Sequence, residues 1–269
     1  MTPATHSEGG FGPLPWTTLV FTFLAACVVL FIIAPLAGMF LSSSPGEIAG
    51  AAAEAEVRDS VALTLRAALW STVACALGGI PLAYLLARRR FFGRSTLLAL
   101  IDLPIIVPHT TAGIALLTVI GRESLFGSAF GSLVGTEAGI SAAMAFVSVP
   151  FLVNAAHNGF ASVPVHLENA ARTLGASPAR VFFTVSLPMS WRNVLTGMIM
   201  MWARGISEFG AVVIIAYHPM TTPTLVFERF NDYGLDHARS AAIVLLVICV
   251  VIFAALRFLA GRGGTGGRV

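Results

Sequence analysis

The chain has 269 residues, of which 57% are hydrophobic and only 11% are charged, and its formal net charge is +3. Soluble domains carry about 25% charged residues, so this composition excludes an ordinary soluble protein and indicates a polytopic membrane protein that does not bind nucleic acid. All 16 basic residues are arginine; because a P-loop and a Schiff-base enzyme both need lysine, ATP-driven work would fall to another subunit.

Six apolar runs are long enough to cross a bilayer core of about 30 Å, which takes about 20 helical residues. They cover residues 16–40, 63–87, 97–120, 139–157, 194–217 and 241–260. The sequence therefore predicts an all-α membrane domain of six transmembrane helices over residues 16–260. We expect an N-terminal tail at 1–15 and a flexible, glycine-rich tail at 261–269.

The arginines are unevenly shared between the two sides of the predicted helices. Ten flank the second, fourth and sixth runs on one side, whereas four lie in loops of the other side. The ten are Arg88, Arg89, Arg90, Arg94, Arg172, Arg180, Arg192, Arg257, Arg262 and Arg268, and the four are Arg58, Arg122, Arg229 and Arg239. The positive-inside rule places the richer side, and with it both termini, in the cytoplasm.

The stretch 161–188, between the fourth and fifth runs, is too polar to span a membrane and would face the cytoplasm. Leu167, Ala170, Ala171 and Leu174 recur at the i, i+3, i+4 and i+7 positions of an amphipathic helix. Pro164 suits the first turn of such a helix. The pattern predicts a short surface helix.

A second short helix is predicted directly after the first. Gly175 can adopt the left-handed conformation that ends a helix, and Ser177 followed by Pro178 is typical of a helix start. We expect this second helix to run to Leu187 and to stop at Pro188. The residues alone allow two interpretations: a helix pair resting on lipid headgroups, or an element that docks into a partner's groove.

The run ENAARTLGASPARVFFTVSLP, residues 168–188, resembles the EAA loop of ABC-importer permeases. It has the Ala-Ala pair, a glycine after three residues, a valine after nine more, and Leu-Pro after one more. The departure is Asn169, which stands where the family has glutamate, with Glu168 one residue earlier. No salt bridge to a partner is therefore carried over to Asn169.

The resemblance implies a type I ABC-importer fold in which this loop is a coupling helix between transmembrane helices 4 and 5. In the family the coupling helix sits in a cleft of a separate ATPase subunit. The residues of this chain that would dock the ATPase are Pro164, Glu168, Asn169, Ala170, Ala171, Gly175, Ala176 and Pro178.

Two further segments are similar to the molybdate/tungstate permeases and, more loosely, to sulfate permeases: DLPIIVPHTTAGIA at 102–115 and ARGISEFGA at 203–211. This resemblance implies a homodimeric permease of the plasma (inner) membrane that carries a tetrahedral oxyanion. It implies two copies of a cytoplasmic ATPase, which hold ATP and Mg²⁺, and a periplasmic or extracellular binding protein. A sulfate or thiosulfate permease is the alternative, and no catalytic residue or cofactor is expected in this chain.

Two charged residues are predicted inside the fifth membrane run. Arg204 and Glu208 are four residues apart and can pair on one face of a helix. Because a charge at mid-membrane costs at least about 2.5–3.5 kcal/mol, such a pair is rarely idle. It would serve either as a structural contact between helices or as part of a pore or gate.

Three polar residues follow two prolines in the third run. Pro104 and Pro108 should break or kink a helix, and His109, Thr110 and Thr111 come directly after the second. Freed backbone N–H groups and hydroxyls suit an oxyanion, and irregular backbone is tolerated only inside protein or beside water. The alternatives are a packing kink and a constriction of the translocation pathway.

Other classes of membrane protein are less consistent with the sequence. A channel needs no coupling loop, and a secondary transporter more often shows paired broken helices in two repeated halves. A membrane enzyme would need clustered acidic residues, whereas those of this chain are scattered. No pair of histidines has metal-ligand spacing on one helix. We therefore expect no metal site.

Overall fold

The computed structural model describes residues 16–262, so the predicted tail 1–15 and most of the tail 261–269 lie outside the described residues. Every regular element in the described range is helical. The helices are α1 (Trp16–Leu41), α2 (Pro45–Ala53), α3 (Ala55–Arg88), α4 (Arg94–Ile106), α5 (His109–Ile120), α6 (Leu125–Phe130), α7 (Glu137–Ser162), α8 (Val165–Thr173), α9 (Pro178–Val181), a π-helical segment (Phe182–Ser186), α10 (Leu187–Ile206), α11 (Gly210–Ile215), α12 (Thr222–Tyr233) and α13 (Leu235–Arg262).

The all-α membrane class is confirmed, but the count of six spans is not. In the described part of the chain, four helices are long and apolar enough to cross a membrane: α1, α3, α7 and α13. The pair α4 and α5 makes a fifth span if its two halves are taken together. The predicted fifth run is divided between α10 and α11, and neither is among these candidates.

Two of the predicted spans are broken rather than continuous. The run 97–120 bends by 116° between α4 and α5, at Val107 and Pro108. Pro108 cannot donate a backbone hydrogen bond, whereas Pro104 is accommodated inside α4. The run 194–217 is interrupted at residues 207–209 and its last helix ends at Ile215. This second break contains no proline.

The core is built where α7 packs along both α3 and α10. Small residues bring these helices close together: a Cβ on Gly197 would lie 2.9 Å from the Cβ of Ala155, and a Cβ on Gly159 would lie 2.5 Å from that of Asn193. Close approach of this kind is how helices associate in lipid, where the solvent supplies little hydrophobic drive. Helix α8 follows directly on α7, one of the helices that form this core.

Polar contacts hold α12 against α2 and α3. They lie at the end of α3 that is farther from α8. Arg229 donates to Glu54 at 2.6 Å and to Glu56 at 2.7 Å. Burial lowers the pKa of the Arg229 guanidinium, but the hydrogen bonds to the two carboxylates outweigh it, and the pKa is raised overall. The backbone N–H of Thr222 donates to Thr64 at 2.8 Å.

Helix α1 is only loosely attached to the rest of its own chain. None of its 26 residues is buried, although its mean hydropathy of 2.8 is the highest of the candidate spans. Its largest contact with the body is made with α13. The helix thus presents almost its whole surface to lipid or to another protein.

Candidate functional site

Helix α8 and the turn after it have the local structure that the sequence predicts. Pro164 caps the N-terminus of α8, and Gly175 reverses the chain with a φ of 86°, a value that favours glycine. The side chain of Ser177 then accepts a hydrogen bond of 3.3 Å from the backbone of Arg180, with Pro178 at the first helical position. Two short helices joined by a glycine turn result.

The second helix does not stop at Pro188, contrary to our expectation. After the single turn of α9, the chain passes through the π-helical segment 182–186 directly into α10, with right-handed helical backbone at Phe182 and Leu187. The wider π turn accommodates a residue without an N–H donor, so Pro188 lies in the first turn of α10 instead of ending a helix. Helix α9 is thereby continuous with α10, and only the turn at Gly175 separates it from α8.

Glu168, predicted to dock the ATPase, points into the protein instead. Its side chain is 1% exposed and pairs with Arg88 of α3 at 2.7 Å. Ser186 of the π segment donates to the same carboxylate at 2.7 Å. This carboxylate is therefore unavailable to a partner, because its charge is already paired with Arg88 inside the protein.

The outward face of α8 and its turn carries most of the other predicted docking residues. Ala171 and Ala176 are partly buried, and the exposed ones are Pro164, Asn169, Ala170, Gly175 and Pro178. Leu174, which the sequence places on the apolar stripe, is 89% exposed beside them. An exposed leucine beside small residues, at a reversal of the chain, gives a surface that a partner's groove can accommodate.

The two broken spans meet at their breaks. A Cβ on Gly210, the first residue of α11, would lie 2.7 Å from the Cβ of His109, the first residue of α5. A Cβ on Gly113 would lie 2.8 Å from that of Ile214, one turn further along both helices. Only glycine at these positions allows α5 and α11 to pack this closely, which brings residues about a hundred positions apart into one cluster.

Glu208 is the centre of this cluster and is 1% exposed. It pairs with Arg204 at 3.0 Å and with Nδ1 of His109 at 2.7 Å, and it accepts the backbone N–H of Ala211 at 2.8 Å. Arg204 also donates to the hydroxyl of Ser207 at 3.3 Å. The i, i+4 pair predicted from the sequence is present, and the structure adds His109 as its third member.

Thr110 and Thr111 lie beside this cluster on the exposed surface of the first turn of α5. The turn-closing hydrogen bond of that helix runs from the N–H of Ala112 to the carbonyl of Pro108 at 2.9 Å. The N–H groups of residues 109–111 precede it and so have no helical acceptor. The two hydroxyls and the partly exposed Arg204 together form a polar surface that can contact an anion.

Arg66 has a partner that sequence spacing could not reveal. It makes a two-pronged ion pair with Glu137 at the start of α7, with N–O distances of 2.6 and 2.7 Å. Both side chains are partly exposed. Among the described residues, no group of three histidine, cysteine, aspartate or glutamate side chains is arranged to bind a metal ion.

Comparisons with known sequences match this chain to one family over most of its length. Residues 79–262 match the family described as "Binding-protein-dependent transport system inner membrane component". The molybdate/tungstate transport system permease protein WtpB of Thermococcus kodakarensis is 39% identical, over 92% of this chain and 97% of that protein. A probable sulfate transport system permease protein of Chlorokybus atmophyticus is 33% identical, over 77% and 76% respectively.

Solved structures share the fold at low sequence identity. A bacterial ABC transporter involved in the import of the acidic polysaccharide alginate superposes with a TM-score of 0.70. The likeness covers 91% of this chain and 95% of that chain, at 14% identity. At this identity the likeness shows the fold alone.

Proposed function

The chain belongs to the family of inner membrane components of binding-protein-dependent transport systems, and on that premise we propose that it is the permease subunit of an ABC importer for molybdate or tungstate. The observation that carries the proposal is the likeness to a molybdate/tungstate permease over 97% of that protein's length. A sulfate or thiosulfate permease is the second candidate. It is supported by a likeness that is lower and covers less of the chain.

The outward face of α8 and its turn is the surface we assign to the ATPase. It follows the end of α7, carries the exposed Leu174, and is linked to α10 through α9 and the π segment. A push on this surface would reach the membrane helices directly. The chain itself is non-catalytic in this proposal, and ATP and Mg²⁺ bind to two copies of the ATPase because this chain lacks a P-loop lysine.

We propose a homodimer with both termini in the cytoplasm of a plasma (inner) membrane. The arginine distribution supports the orientation, since the stretch that contains α8 lies on the arginine-rich side. Helix α1, with no buried residue, supports the dimer because a second copy of the chain can cover it. A periplasmic or extracellular binding protein delivers the anion to the opposite face.

The meeting point of the two breaks is the part of the pathway that we propose contacts the anion. Arg204 alone would hold an oxyanion too tightly for release, and its pairing with Glu208 weakens that attraction. His109, Thr110 and Thr111 provide polar groups beside it. The competing assignment is a structural pair, and paired broken helices of this kind also occur in secondary transporters.

Reconstitution into proteoliposomes with the cognate ATPase and binding protein tests the function. We expect uptake of radiolabelled molybdate that needs both ATP and the binding protein. Unlabelled tungstate should compete, whereas sulfate should compete poorly. Stronger competition by sulfate would favour the second candidate, and uptake that continues without ATP would contradict an importer and favour a channel or a secondary transporter.

A further inference from the structure

We propose that Glu168 is a positioning residue whose buried carboxylate joins the ATPase-docking helix α8 to the membrane helices α3 and α10. Movement of α8 would then be passed to both helices at once. This inference rests on the proposed function, because the movement is the one that ATP drives. It assigns to Glu168 a role different from direct contact with the ATPase.

Both oxygens of Glu168 are occupied by partners from other parts of the fold. Oε1 accepts from Nε of Arg88 and from the hydroxyl of Ser186, each at 2.7 Å. Oε2 accepts from Arg172 at 3.3 Å and from the hydroxyl of Tyr84 at 3.4 Å. The two short contacts are therefore made to α3 and to the π segment, and only the long contact to Arg172 stays within α8.

Arg88 extends the connection to the end of α7. Its second nitrogen donates to the carbonyl of Val163, the residue that caps α7, at 2.9 Å. One guanidinium thus holds the last turn of α3 against both the end of α7 and the start of α8. The planar fork of arginine suits such a double contact, which lysine could not make in the same geometry.

The joint is shielded from water. The side chains of Glu168 and Arg88 are 1% and 9% exposed. The ring of Tyr84 packs edge-on against Phe160 and Phe182 nearby, with ring centres 5.3 and 5.0 Å apart. A charge pair in such surroundings is held strongly, because a partner left alone would be a buried, unpaired charge.

The π segment explains how the joint reaches α10. Ser186 is the last residue of the segment and is fully buried against Glu168. A single π turn inside a helix changes the direction in which the following side chains point, and such turns are frequent at functional sites. Here it directs a serine hydroxyl to the carboxylate one residue before α10 begins, so α10 cannot turn without pulling on Glu168.

The joint and the docking surface lie on opposite faces of α8, which makes the two roles separable. In the complete importer in proteoliposomes, we expect Glu168→Gln to reduce the number of oxyanions transported per ATP hydrolysed by about fivefold or more. Typical coupling free energies between two sites correspond to factors of this size. The amount of ATPase that co-purifies with the permease should stay unchanged. Ser186→Ala, which removes one hydrogen bond, should reduce the ratio less.

Arg172→Gln is the matched control, because Arg172 contacts the same carboxylate but is half-exposed, where ion pairs contribute little. Its ratio should equal that of the wild type. An unchanged ratio in Glu168→Gln, or loss of ATPase co-purification in that variant, overturns the proposal. If Glu168→Gln does not accumulate in the membrane, an unchanged ratio in Ser186→Ala overturns it. Absence of ATP-driven uptake by the wild type would overturn the proposed function itself, and the joint with it.

Discussion

At the scale of single residues, the main feature is how the two fully buried carboxylates, Glu208 and Glu168, are neutralised. The Arg204–Glu208 pair follows from a spacing of four residues in one helix, so the sequence alone predicts it. His109 could not be predicted as a third member, because it lies 99 residues away and reaches Glu208 only through the packing of α5 on α11. The partner of Glu168 was missed for the same reason, since Arg88 lies 80 residues earlier.

Glu208→Ala should impair assembly or gating more than recognition of the binding protein. It leaves Arg204 and the N–H of Ala211 without their acceptor, and breaking a buried pair costs about 3–5 kcal/mol. We expect a lower unfolding temperature of the purified permease and a strong loss of uptake, with the affinity for the binding protein unchanged. Glu208→Gln, which keeps an acceptor oxygen, should lose less. Normal stability and normal uptake in Glu208→Ala would contradict this assignment.

At the scale of elements, breaks and turns decide the architecture. The break between α4 and α5 is predictable from Pro108, because proline cannot donate a backbone hydrogen bond. The break between α10 and α11 has no proline and depends on Glu208 accepting the N–H of Ala211, a side-chain contact that hydropathy does not register. The continuity of α9 with α10 was missed because a π turn has no comparable sequence signal.

Leu174→Asp should weaken binding of the ATPase. The side chain is 89% exposed at the turn after α8, and burying a leucine in a partner's groove contributes about 1.5–3 kcal/mol, which corresponds to about tenfold or more in affinity. The measurement is the dissociation constant of the detergent-solubilised permease and ATPase. Thr173→Asp adds the same charge at the preceding exposed polar position and should have a smaller effect. Equal losses in both variants would indicate that charge, not apolar contact, governs docking.

At the scale of the whole molecule, a single chain leaves one apolar helix almost uncovered. Sequence hydropathy predicts that 16–40 is a span, and α1 matches it closely. Hydropathy cannot say what packs against a span, because lipid-facing and protein-facing residues are equally apolar. The all-α class and the position of α8 were likewise predictable, whereas the number of complete spans was not, because bends depend on contacts between helices.

Native mass spectrometry of the solubilised importer should show two copies of the 28.2 kDa chain together with two copies of the ATPase. The physical reason is that the pathway proposed at the meeting point of α5 and α11 needs a second wall, and that α1 needs a partner surface. Dilution in mild detergent should not separate the two permease chains before the ATPase dissociates. A stable species with one permease chain and full ATP-driven uptake would contradict the dimer.

Arg66 and Arg88, two arginines of α3, restrict the kind of motion that this fold allows. Arg66 pairs with Glu137, the first residue of α7. Arg88 donates to the carbonyl of Val163, the residue that caps the last turn of α7. These fastenings are 22 residues apart, about 33 Å along a helix, close to the bilayer's apolar thickness of about 30 Å. Lengthwise sliding of α3 past α7 would break both contacts, and the buried contact of Arg88 would account for most of the cost because the Arg66 pair is half-exposed. Tilting the two helices together as one rigid body would keep both contacts. In the proposed importer, the pathway would then be exposed to each side in turn by rocking of these helices, not by a piston-like movement.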